Sequence, residues 1–173
     1  MIAALVSVGL TGLANSILEA SYAASRFPVP FIVGQTAFDA STIKSYYQVM
    51  LQLGTFPIYV RTQWLDFLFI GATSLMGLAL GTLLARLHAP ASRFRSLGIW
   101  FALAIPMAGL CDVVENVLSF VMLADPLGFP DWLAPLYSTA ATVKFGFWAV
   151  GVCWLAGSLV ALVITRLLRL ITR

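Results

Sequence analysis

The sequence predicts an all-α membrane protein: a four-transmembrane-helix bundle with a partly helical external segment between helices 1 and 2. Three observations carry this. Hydrophobic residues make up 61% of the chain and charged residues only 10%, whereas a soluble domain carries about 25% because its surface must face water. Mean hydropathy is +0.95. Four apolar runs each exceed the ~20 residues needed to cross the hydrocarbon core. The length of 173 residues suits a single membrane domain over the whole chain.

The first run covers residues 1–24. It ends in small residues (Ala20, Ser21, Ala23), but it is long and no Lys or Arg precedes it, so a retained helix is expected rather than a cleaved signal. An external segment follows over residues 25–63. Its Phe27-Pro28-Val29-Pro30-Phe31 stretch cannot continue a helix, because proline removes donors and restrains its neighbours. Ser41 or Thr42 is then placed to cap a short helix through Leu53, stopped by Gly54. Ile43, Tyr46, Tyr47, Met50 and Leu51 recur along it at helical spacing, which suits a helix on the bundle's end or in the lipid interface. Pro57 opens the approach to the second span.

The remaining spans are expected at residues 64–87, 97–123 and 133–168. Gly77 and Gly81 form a small-xxx-small pair suited to close helix contact. Pro106 predicts a bend in the third span. Asp125, Pro126, Gly128 and Pro130 mark a short turn into the fourth. That last span is longer than a crossing requires, so its first turns should project past the boundary. Trp64, Trp132, Trp148 and Trp100 read as interfacial anchors.

Basic residues set the orientation. Arg86, Arg93 and Arg95 flank the loop between spans two and three, and Arg166, Arg169 and Arg173 close the chain. The other side holds Arg26, Lys44 and Arg61 beside Asp39, Asp125 and Asp131. Six against three predicts that both termini are cytoplasmic. A net charge of +3 spread over helix ends is not a nucleic-acid footprint. Cys111 and Cys153 sit inside apolar runs and read as buried structural thiols. With His88 the single histidine, no metal site and no cofactor is expected.

Ionisable residues inside the spans are the informative ones. Asp112, Glu115, Asn116 and Ser119 stand at i, i+3, i+4 and i+7 and share one face, while Val113, Val114, Leu118 and Val121 occupy others. A charge at mid-bilayer costs at least ~2.5 kcal/mol, so this stripe must point inward. The first span supplies Glu19, the second Asp66 and the fourth Lys144. Counting from the arginine-rich ends places all of them near one boundary, with Asp112 a turn deeper. Four acids then face Lys144 and Arg61, so a proton on one acid, or a cation, is expected to supply the balance.

Phe38-Asp39, Gly54, Tyr59, Arg61, Asp66, Asp112-x-x-Glu115-Asn116 and Lys144, in that order, resemble the pattern of uncharacterised bacterial four-helix integral membrane proteins. The resemblance implies the architecture and a bacterial inner (plasma) membrane, and carries no activity.

Three functions fit the polar layer. The leading one is an accessory or structural subunit of a membrane assembly, braced by the layer and partnered by membrane lipids and other membrane-protein subunits. The second is a membrane enzyme or binding protein with an acid-containing pocket for an isoprenoid or other lipid. There Asp112 or Glu115 would act as general acid, Asn116 would orient the ligand and Lys144 would hold an anionic head group. No nucleophile constellation or phosphate loop accompanies them. The third is ion- or proton-coupled transport, against which stands the absence of polar residues continuing inward.

Overall fold

The structure, a computed structural model, describes residues 1–171; Arg173, counted above among the closing basic residues, lies outside them. Seven helices follow in order: α1 (Ile2–Ser25), α2 (Phe31–Gln35), α3 (Ala40–Gln52), α4 (Phe56–Leu87), α5 (Arg93–Phe101), α6 (Ala104–Ala124) and α7 (Leu133–Ile171). Four stretches are long and apolar enough to cross a membrane: α1, α4, the α5–α6 pair and α7. The fold is all-α, as the composition and the four runs predict.

The second span begins at Phe56, well before residue 64. The polar stretch Arg61-Thr62-Gln63 reads as loop in the sequence, but Tyr59, Thr62 and Gln63 are buried and so fall on a packed helix face. Pro57 sits in the first turn, where a missing N–H costs nothing. The third span is broken at Ala102–Leu103, between α5 and α6. Pro106 causes the break: its ring clashes with the carbonyl four residues earlier, at Ala102, and it offers no donor to it.

The break is seated against the small face of α4. A Cβ on Gly81 would stand 2.6 Å from the Ala102 Cβ and 2.7 Å from its Cα, and one on Gly77 would stand 2.5 Å from the Ile105 Cβ. From the other side, a Cβ on Gly151 of α7 would meet Ile105 Cγ1 at 2.6 Å. Ile105 is therefore wedged between two helices that approach it through glycine. Below the polar layer α4 and α7 thus approach α6 closely around Ile105.

The conventional hydrophobic core sits at the opposite end. Ile43, Tyr47 and Met50 of α3 pack onto Tyr59, Met122, Leu123, Phe129, Leu133, Ala134 and Tyr137. The α3 helix thus caps the end of the bundle, held also by the Lys44–Asp131 ion pair at 2.7 Å and, just before it, by Phe38 N donating to Ser138 Oγ of α7 at 3.0 Å. Its N-cap is Asp39, not Ser41 or Thr42. The carboxylate accepts from the Thr42 amide at 2.7 Å, and both hydroxyls turn inward to the same oxygen. Gly54 has φ +70°, the left-handed turn expected after the helix. The short α2, between the Pro28–Pro30 break and Phe38, has no counterpart in the sequence reading.

Helix packing is uneven. The α1 helix lies along α4, α4 along α6, and α6 along α7, whereas α1 and α7 do not pack along one another. Cys111 is only partly covered and Cys153 is exposed on the outer face of α7, which corrects the expectation of buried thiols. Cys111 sits on the flank of the buried α6 stripe, and Cys153 on the side of α7 turned away from the bundle centre.

Candidate functional site

The α6 stripe is buried as its spacing requires. Asp112, Glu115, Asn116 and Ser119 all face inward, while Val114, Val117 and Val121 are exposed. Facing them from α7 is Lys144, only 4% exposed. Its ammonium donates to Asp112 Oδ1 at 3.0 Å, to Glu115 Oε2 and to Gln35 Oε1 of α2 at 3.1 Å. All three ammonium hydrogens have an acceptor. From α4, Asp66 Oδ2 accepts from Asn116 Nδ2 at 2.7 Å.

Two acceptors of this layer, Glu115 Oε1 and Asn116 Oδ1, are buried and take no hydrogen bond from the described residues. Tyr47, Tyr59 and Tyr137 are buried close to Glu115. Burial holds the Tyr47 hydroxyl above its ordinary range, so α3 presents a neutral phenol to the Ser119 end of the stripe.

Beside the Lys144 cluster opens a cavity of about 240 Å³, and all four spans line it. Glu19 and Asn15 come from α1, Asp66, Thr62 and Gln63 from α4, Asp112 from α6 and Lys144 from α7. Aromatic groups complete the wall: Tyr22, Phe27, Phe31, Tyr59, Phe69, Tyr137, Phe145 and Trp148. The cavity is partly open, in keeping with the absence of α1–α7 packing on one side of it.

The residues singled out in the sequence distribute as follows. Glu19, Asp66, Asp112 and Lys144 share the cavity wall, and Glu115 and Asn116 stand behind it as partners of Lys144 and Asp66. Arg61 is exposed on α4 and lies outside the cavity wall. Trp148 lines the cavity, while Trp64, Trp132 and Trp100 are exposed. Gln35 was missed, along with the contribution of Tyr59 and Tyr137. No protein-family model, curated protein or solved structure matches the chain.

Proposed function

We propose that this is a membrane protein that binds an amphiphile, taking its polar end into the Lys144–Asp66–Glu19 cavity and leaving its apolar part in the lipid. The observation that carries this reading is the cavity itself, formed at the level where four spans each deliver a polar side chain, and walled by aromatics. A volume of about 240 Å³ is below the roughly 300–1,000 Å³ of sites that engulf whole drug-sized ligands. It suits a head group.

The chemistry of the wall narrows the ligand. Lys144 is saturated by three oxygens, so it does not await an anionic head group. Glu19 and Asp66 put on the wall two carboxyl groups that Lys144 does not bond, which makes acceptors the surplus. A ligand whose polar end donates hydrogen bonds, an amine or a hydroxyl-rich group, matches that surplus, and an aromatic wall favours a cation over an anion. An acid catalyst among Asp112 and Glu115 is not required by this reading.

In this reading both termini are cytoplasmic and the cavity lies near the external boundary, as the arginine asymmetry suggests, in a bacterial inner membrane, as the resemblance implies. The test is mass spectrometry of small molecules retained by protein extracted without lipid exchange. An amphiphile enriched over the bulk membrane, and lost from Asn15→Trp, which puts an indole at the cavity wall, supports binding. Identical lipid profiles for the two proteins would reject it.

A second reading, an accessory subunit in a larger assembly, draws on α1. That helix packs on α4 and leaves Leu5, Val6, Leu10, Leu13 and Ile17 exposed. Chemical cross-linking in membranes tests it. Ion passage gains nothing from this reading, since α4 and α7 approach closely around the apolar Ile105 below the layer.

A further inference from the structure

A second cleft, of about 190 Å³, lies at the other end of the bundle, between the end of α4, the 88–92 loop, α5 and the last turns of α7. Arg166 and Arg169 line it from α7, at i and i+3 and therefore on one face. No acidic residue lines it. The seven acids of the chain all lie at or before residue 66 or between residues 112 and 131. Among the described residues neither arginine makes an ion pair. Two arginines thus line a concavity with no counter-ion among the described residues.

The rest of the cleft is built. His88, 8% exposed, is pinned by Ser158 Oγ at 2.9 Å and stacked on Phe94 with ring centroids 5.2 Å apart. Ser92 Oγ accepts from Phe94 N at 3.2 Å, which leaves its hydroxyl hydrogen free to donate to a ligand at the cleft. Leu87, Phe94 and Leu162 supply an apolar flank, continuous with the exposed apolar sides of α5 and α7. Guanidinium forks match phosphate oxygens geometrically, and an apolar flank beside them suits acyl chains.

We propose that this cleft is a binding site for the phosphate of an anionic phospholipid, separate from the amphiphile cavity and independent of it. A diffuse attraction between surface arginines and acidic lipid would not depend on which arginines are kept; a site would. The experiment compares intact protein in nanodiscs of phosphatidylcholine with and without phosphatidylglycerol, and in detergent with inorganic phosphate alone. Thermal stability and lipids retained in native mass spectrometry are the readouts. Phosphatidylglycerol should raise the melting temperature and remain bound. Arg166→Gln/Arg169→Gln should weaken retention about thirtyfold, at roughly tenfold per 1.4 kcal/mol and about 1 kcal/mol per arginine. Arg86→Gln/Arg93→Gln, at the same end but outside the cleft, should retain lipid as the wild type does. Should the first pair fail to fold, Arg169→Gln alone serves in the retention assay, with a smaller loss expected. Equal loss in both pairs would overturn the site in favour of diffuse electrostatics. A full stabilisation by inorganic phosphate would overturn the lipid as its source.

Discussion

The ammonium of Lys144 on α7 and the carboxylate of Asp112 on α6 meet at 3.0 Å in a part of the chain where neither could remain charged alone. Glu115 joins from the next turn of α6 and Gln35 from a helix 109 residues away. A lysine with this set of acceptors is a fixed internal charge, and the geometry of the cavity wall depends on it.

Lys144→Met should therefore be among the most destabilising single changes in the chain. It strands two buried carboxylates, and breaking a buried pair in this way costs about 3–5 kcal/mol. The triple variant Lys144→Met/Asp112→Asn/Glu115→Gln should recover most of that loss, because no unpaired charge remains. Thermal unfolding in detergent reads both. A triple variant no more stable than Lys144→Met would show that the residues act through shape rather than charge.

Gly81→Leu tests the packing below the layer. Its side chain has no room against the Ala102 backbone at the α5–α6 break, and overpacking of this kind costs about 1–3 kcal/mol or more. Gly12→Leu, on α1 where an added Cβ meets nothing within 4 Å, should be nearly neutral in the same melt. Equal tolerance at both positions would contradict the close α4–α5–α6 contact.

Acid should loosen the cap of α3. The Ser41 and Thr42 hydroxyls and the Thr42 amide hold the Asp39 carboxyl at about 2, against about 3.9 for the unfolded chain. Its folded-state value is depressed, so its contribution is complete above the unfolded value and is lost as pH falls through about 2. Protection of the Thr42 amide against hydrogen exchange should fall across that window. In Asp39→Asn, which keeps a capping oxygen without the charge, protection should stay flat. The same decline in both proteins would place the titration elsewhere.

Orientation is tested by labelling. Ser45→Cys on α3 should react with a membrane-impermeant reagent in intact cells, and Ser92→Cys before α5 only after permeabilisation, once Cys111 and Cys153 are replaced. The reverse pattern would put the cavity at the cytoplasmic boundary.

Much of this was legible in the sequence, and the reasons differ by residue. Asp112, Glu115 and Asn116 were legible because polar groups at i, i+3 and i+4 in an apolar span can only face inward. Lys144 followed because an ammonium at the same depth needs a partner. Arg61 was grouped with them as a counter-charge to the four acids, but on α4 it is exposed and lies off the face formed by Tyr59, Thr62, Gln63 and Asp66. Gln35 was not legible. It sits in a five-residue helix after two prolines, too short for any periodicity, and only tertiary folding brings it to Lys144. The cavity was hidden for a related reason: it exists because α1 and α7 do not pack along each other, and no local pattern encodes which helices pair.

The measurement that tests the central claim most directly is photo-cross-linking in intact membranes from a photoreactive residue placed at Trp148, in the cavity wall, and at Trp100, exposed on α5. The account predicts that position 148 captures an amphiphile with an amine or hydroxyl-rich head group, enriched over its share of the membrane, while position 100 captures lipid in bulk proportion. Capture of the same bulk lipid mixture at both positions would contradict it.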